Sequence, residues 1–249
     1  MSVKNNTAVV ILAAGKGKRM KSDLPKVLHK LAGKYLVDHV IENVKKAGIE
    51  NIILVVGHQF ELVLEKLADR QVDFVVQEPQ LGTGHAVQVT VPHLVDFAGD
   101  LVVLCGDMPF ISSSTISALI KTRRETGAAA TVLTVTLDNP GGYGRIIRDR
   151  DGYLEAIVEY KDADLQTCLI KEVNTGAYCF NYNQLLPVLK QLKSENTQAE
   201  YYLTDTIALF KANGLKVSAL ASDNPNEGMG VNSQAELNLM QTIITEQNH

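Results

Sequence analysis

The residues best suited to chemistry lie near the start of the chain. Ala13-Ala14-Gly15-Lys16-Gly17-Lys18-Arg19-Met20 follows an apolar run directly, and Pro25-Lys26 comes shortly after it. Small residues let backbone N–H groups approach an anion. Lys16, Lys18, Arg19 and Lys26 add positive charge around that backbone. The chemistry this suggests is phosphate binding, and the plainer alternative is a solvated basic turn. Two familiar phosphate loops do not match. A P-loop requires G-x-x-x-x-G-K-[ST], whereas Gly15 and Gly17 stand one residue apart with no Lys-Ser or Lys-Thr placed after them. A dinucleotide fingerprint needs a third small residue for close helix–strand packing, and that position holds Met20.

A second set of candidates is dispersed along the chain. Asp107 closes the apolar run "DLVVLCGD". A carboxylate there suits a cation, or caps a helix, since Pro109 and Ser112–Thr115 follow. Asn232 stands just before the last helical stretch and reads as an N-cap. "QEPQLGTGHA" sets Gln77, Gly82 and Thr83 in a polar loop, where an amide and backbone groups can read the edge of a base. A helix beginning at Thr83 fits the same residues. No Ser-His-Asp or Cys-His arrangement stands out, and the six histidines lack metal-ligand spacing and read as ordinary surface or core residues. Cys105, Cys168 and Cys179 contain no C-x-x-C pair, which argues against a disulfide framework or a zinc cluster.

These residues need a scaffold, and the apolar patterning supplies one. Strands are expected at 8–13, 51–56, 72–77, 101–105 and 130–135, with amphipathic helices at 36–48, 59–70, 84–94 and 114–127. Runs that are apolar throughout predict strands buried on both faces, and strand–helix repetition predicts a largely parallel sheet. In such a sheet, ligands bind outside the carboxyl ends of the strands, where the glycine–lysine loop falls. After about residue 138 the pattern changes. Asp151-Gly152 predicts a hairpin turn, followed by a strand at 172–180 and helices near 182–192, 200–212 and 233–247. We read one domain over 1–249, made of a nucleotide-binding half (1–137) and a mixed half (138–249) sharing one sheet.

Composition narrows the functional classes. The 249 residues are 45% hydrophobic and 21% charged, with a formal net charge of −4, the balance of a globular domain with a substantial core. There is no basic excess or stripe, so no nucleic-acid partner is expected. No run approaches the roughly 20 apolar residues of a membrane span, and no signal peptide precedes the first strand. The expectation is a cytoplasmic protein with no membrane partner.

The motifs taken in order are more informative than any one of them. "LAAGKGKRMKSDLPKVLHKLAGK", "EPQLGTGHAV", "LCGDMPFI", "GGYGRI", "IVEYKDA", "EVNTG", "AEYYLTD" and "GVN" follow one another over nearly the whole chain. The series resembles the sugar-1-phosphate nucleotidyltransferase family. Within it, the series is most similar to the uridyltransferase part of the bacterial bifunctional N-acetylglucosamine-1-phosphate uridyltransferase/glucosamine-1-phosphate acetyltransferases. The resemblance implies an α/β nucleotide-diphospho-sugar transferase fold, a Rossmann-like, mainly parallel mixed sheet flanked by helices. It implies Mg²⁺-dependent transfer of UMP from UTP to N-acetylglucosamine 1-phosphate. Arg19 and Lys26 become catalytic, and Leu12, Ala13, Ala14, Gly15, Gly17, Gln77, Gly82 and Thr83 contact the nucleotide. Gly144, Glu159, Asn174, Tyr202 and Thr204 hold the sugar, and Asp107 and Asn232 hold magnesium.

Two positions depart from the family pattern: Lys18 replaces a small hydroxyl residue, and Cys105 replaces an aromatic. The bifunctional enzymes continue into a left-handed β-helix of hexapeptide repeats, and no such repeats occur here. Neither acetyl-CoA binding nor a trimer from that source is therefore expected. Another sugar 1-phosphate, such as glucose 1-phosphate, or another nucleotide, such as CTP or GTP, would keep the same chemistry. A silent nucleotide-sugar binding module is a rival of a different class. An NAD-dependent oxidoreductase rests on G-x-G alone.

Overall fold

The computed structural model describes residues 6–247. The chain begins with β1 (Thr7–Leu12), a hairpin of β2 (Lys30–Leu31) and β3 (Lys34–Tyr35), and α1 (Leu36–Lys46). Next come β4 (Asn51–Val56), α2 (Phe60–Leu67), β5 (Asp73–Val76), α3 (Thr83–Gln88), β6 (Asp100–Cys105), α4 (Ser113–Thr126) and β7 (Ala130–Thr136). The later part contains β8 (Arg145–Arg148), β9 (Leu154–Val158), α5 (Leu165–Cys168), β10 (Glu172–Asn181) and α6 (Tyr182–Leu189). It ends with α7 (Asp205–Ala212), β11 (Val217–Ala221) and α8 (Gln234–Gln247).

One sheet runs through both halves in the order β11-β7-β10-β6-β1-β4-β5, with β8 and β9 branching from β10. β1 pairs in parallel with β4 and β6, β4 with β5, and β7 with β11. β10 runs against both β6 and β7, so the sheet is mixed and mainly parallel. Neighbouring residues of β1 face opposite layers. Ala8 and Val10 pack with Phe180, Leu185 and Phe210, while Val9 and Ile11 pack with Val40, Ile41 and Leu119. Continuous apolar runs are what a sheet covered on both faces requires. A smaller cluster of Met20, Leu31, Leu36, Val231 and Met240 ties the end of the glycine–lysine loop to α8.

The elements depart from expectation in places that have local causes. The helix expected over 84–94 is cut to α3, with a separate 3-10 turn at Val91–His93. Pro92 has no N–H to continue the helical ladder. The helix expected from 200 begins only at Asp205, because the residues before it bond to another loop: Tyr201 N–H donates to Leu81 O (2.8 Å) and Tyr201 O accepts from Gly84 N–H (2.7 Å). The 182–192 helix stops at Leu189. The β2–β3 hairpin, α5 and β11 were not expected from the patterning, being short or flanked by polar residues.

Candidate active site

The carboxyl ends of β1, β4, β5 and β6 open onto a cleft of about 1060 Å³. The glycine–lysine loop forms one wall. Ala13 N–H donates to Val55 O (2.8 Å), and His58 N–H donates to Ala14 O (3.4 Å), so the loop is pinned to the end of β4. Gly17 has φ +57°, and a Cβ there would lie 2.9 Å from the Cβ of Lys26. Only a residue without a side chain lets these two segments approach so closely. Leu12, Ala13, Ala14, Gly15, Gly17, Arg19 and Lys26 all line the cleft. The Lys18 side chain lies outside the described residues.

Four polar side chains from distant parts of the sequence meet at one point. Lys26 Nζ is bonded to Asp107 Oδ2 and donates to Asn232 Oδ1 at 3.2 Å. Arg19 donates to the same Asn232 oxygen at 2.9 Å. The side chains of Lys26 and Asp107 retain only 18% and 13% of their exposure, so this pair is shielded far better than a surface salt bridge. Neither Asp107 nor Asn232 is a helix cap. Ser112 caps α4, its hydroxyl accepting from Thr115 N–H at 3.1 Å. At α8, Ser233 Oγ accepts from Glu236 N–H (3.3 Å), while the Glu236 carboxylate accepts from Asn232 N–H (2.7 Å) and from the Ser233 hydroxyl (3.0 Å). This near-capping-box arrangement frees the Asn232 amide for the cleft. Val231 N–H donates to Asp107 O at 2.9 Å and brings the two segments together.

The opposite wall carries Gln77, Gly82 and Thr83. Gln77 is buried, and its Nε2 donates to Gly82 O at 2.9 Å and contacts His85 Nδ1 at 3.1 Å. Thr83 begins α3 as expected, and its hydroxyl accepts from Leu203 N–H at 3.1 Å. Reading every histidine as an ordinary surface or core residue was therefore too broad: His58 also lines the cleft, and His85 touches Gln77.

Gly144, Glu159, Asn174, Tyr202 and Thr204 form a neighbouring group and do not themselves line the cleft. Thr204 donates to Glu159 Oε1 at 3.1 Å, and Asn174 N–H donates to Gly144 O at 2.9 Å. Gln198, which does line the cleft, donates to the Tyr202 hydroxyl at 2.8 Å. Burial raises the Glu159 carboxyl pKa, with Asp205, Asp162 and Glu200 adding to the rise and the Thr204 hydrogen bond opposing it. Burial pushes Tyr202 up to about 12. Between the two groups sits Cys105, whose thiol burial pushes up to about 12. Such a thiol is protonated at neutral pH and is no nucleophile.

Comparison with known proteins places this geometry in a family. The model of the MobA-like NTP transferase domain matches residues 9–202. The chain belongs to that family. This MobA-like domain is also 50% identical over 228 residues to a protein named bifunctional protein GlmU from Acetivibrio thermocellus, covering 92% of the chain and 49% of that protein. With the protein of the same name from Geobacillus thermodenitrificans it shares 47% over 237 residues, 95% of the chain and 51% of the relative. The domain thus spans about half the length of the curated relatives it matches. In fold it is similar to a crystal structure from Bacillus anthracis assigned as a glucose-1-phosphate thymidylyltransferase. That match has a TM-score of 0.76 and 18% identity, covering 95% of this chain and 94% of the other. The mixed, mainly parallel sheet is thus a nucleotidyltransferase fold. Among the described residues, no helix is long and apolar enough to cross a membrane.

Proposed function

We propose that this domain transfers UMP from UTP to N-acetyl-α-D-glucosamine 1-phosphate, releasing pyrophosphate and forming UDP-N-acetylglucosamine. The observation that carries this reading is the convergence of Arg19, Lys26, Asp107 and Asn232 in one cleft, across from Gln77 and Gly82. The attacking oxygen belongs to a sugar phosphate that is already ionised, so no protein nucleophile is needed. Positioning and charge stabilisation can do the work. The loop from Leu12 to Gly17 cradles the triphosphate, and Arg19 neutralises it. Lys26 offsets charge on the α-phosphate as the sugar phosphate oxygen bonds to phosphorus and pyrophosphate leaves. Gln77 and Gly82, with Thr83 beside them, contact the base edge. Gly144, Glu159, Asn174, Tyr202 and Thr204 take the sugar. The setting we propose is the cytoplasm, and acetyl-CoA is not among the partners of this domain.

Asp107 and Asn232 would hold Mg²⁺. Their side-chain oxygens already converge on a cation, the Lys26 ammonium. No cluster of three or more His, Cys, Asp or Glu suited to a metal occurs among the described residues. Magnesium fits that sparse oxygen set, because it takes few protein ligands and completes its shell with waters and phosphate oxygens. When bound, it would supply Lewis-acid stabilisation of phosphate charge.

Pyrophosphate release tests the proposal, with Mg²⁺, UTP and N-acetylglucosamine 1-phosphate in one assay. Parallel assays substitute glucose 1-phosphate for the sugar, or CTP or GTP for the nucleotide. Fast release is expected only with the first set. Release with another set would keep the chemistry and change the substrate. Folded protein that binds UTP but never releases pyrophosphate would make this a binding module.

A further inference from the structure

The loop after β5 contains a contact that substrate binding does not require. Gln77 leaves β5 with its backbone N–H donating to Val56 O at 2.7 Å, and only 3% of the residue is exposed. A carbonyl can only accept, so the amide nitrogen must be the atom facing Gly82 O. An amide nitrogen cannot accept, so at the 3.1 Å contact His85 Nδ1 is the acceptor and the ring proton sits on Nε2. Both hydrogens of the Gln77 amide are therefore spent inside the protein. Its Oε1 has no hydrogen-bond partner among the described residues, and the side chain lines the cleft. What Gln77 offers an occupant is an acceptor.

We propose that His85 is a positioning residue that holds the Gln77 amide in this orientation, making the site select pyrimidines that carry an N–H at ring position N3. Uracil and thymine donate from N3, whereas cytosine accepts there. Turning the amide over would point Oε1 at two acceptors, Gly82 O and His85 Nδ1. Gly82 O is shared with Ala86 N–H (3.1 Å), so His85 provides the second restraint. The histidine is itself well placed. It lies on α3, whose first turn is fastened by Gly84 N–H to Tyr201 O and by Leu203 N–H to Thr83 Oγ1. Burial lowers the His85 pKa and favours the neutral ring that can accept.

The inference rests on the cleft being a nucleotide site, and the test separates the two ideas. Equilibrium binding of UTP, dTTP and CTP is measured by calorimetry for the wild type, His85→Leu and His85→Asn, with thermal melting to establish folding. The wild type should favour UTP and dTTP over CTP. His85→Leu should lower that preference on the order of tenfold, the effect of leaving one buried amide hydrogen unpaired. His85→Asn, whose Oδ1 can accept near the Nδ1 position, should keep it within about threefold. An unchanged preference in His85→Leu overturns the proposal, as does an equal loss in His85→Asn. If leucine prevents folding, His85→Met replaces it and is judged in the same way. A wild type that binds all three nucleotides equally overturns the inference alone, whereas a folded wild type that binds none of them overturns the nucleotide-site reading on which it rests.

Discussion

At the scale of single residues, the candidate site concentrates opposing demands on few side chains. Glu159 is the clearest case. Its carboxyl is half-buried, receives one hydrogen bond from Thr204 and has acidic neighbours, so it keeps its proton to a higher pH than the 4.5 of a free glutamic acid. The stabilising effect of the protonated form is fully present below the unfolded value and is lost as pH rises through the folded one. Glu159→Gln is therefore expected to raise the melting temperature at pH 7 while changing it little at pH 4. Thermal denaturation at the two pH values checks this, and equal shifts at both would contradict it. Very little of this was legible locally. A carboxylate in "IVEYKDA" looks like any exposed strand residue, and only the family resemblance singled out Glu159, Gly144 and Asn174. The basic loop was easier to read because small residues and charge occur together there. The role of His85 depends on Gln77 eight positions earlier, across a loop whose path no pattern reveals.

Among the elements, the ends of helices and strands do the positioning. Glu227 is buried in a 3-10 turn (Pro225–Gly228) yet serves the start of α4. Its Oε1 accepts from Ser112 N–H (3.1 Å) and the Thr115 hydroxyl (2.6 Å), and its Oε2 accepts from the Ser222 hydroxyl (2.6 Å). A carboxylate at a helix N-terminus is also favoured by the helix dipole. Through this residue, the turn that leads to Asn232 is attached to the helix that follows Asp107. Glu227→Ala should cost about 2–3 kcal/mol, because three half-buried donors lose a buried charged acceptor, and should slow turnover by displacing Asn232. Urea denaturation beside an activity assay would measure both. Full stability with full activity would remove Glu227 from this role. The main strands were legible because double-sided burial imprints continuous apolar runs. β11 was not, since its "VSALA" is short and mostly half-buried. The start of α7 was misread because tertiary hydrogen bonds hold Tyr201 and Leu203 against the loop at 81–84.

For the whole molecule, β10 is the element that decides cohesion. It hydrogen-bonds to β6 of the first half on one side and to β7 on the other, and β8 joins it from the β8–β9 hairpin. With clusters of buried residues on both faces of the same sheet, the two halves should unfold together. Circular dichroism and tyrosine fluorescence are expected to report one coincident urea transition. Two separated transitions would mean that the halves are independent. The sequence patterning indicated a shared sheet, but the reversal of β10 lay beyond it, since strand direction leaves no mark in an apolar run.

That central strand also limits how the molecule can move. A hinge between the halves would have to tear ladder bonds along β10. Any gate that controls entry to the cleft must therefore be built from loops over a fixed floor. The segment from Gln198 to Thr204 rests on the loop at 81–84 through hydrogen bonds from Tyr201 and Leu203, so opening on that side would break those few contacts and leave the strand ladder intact.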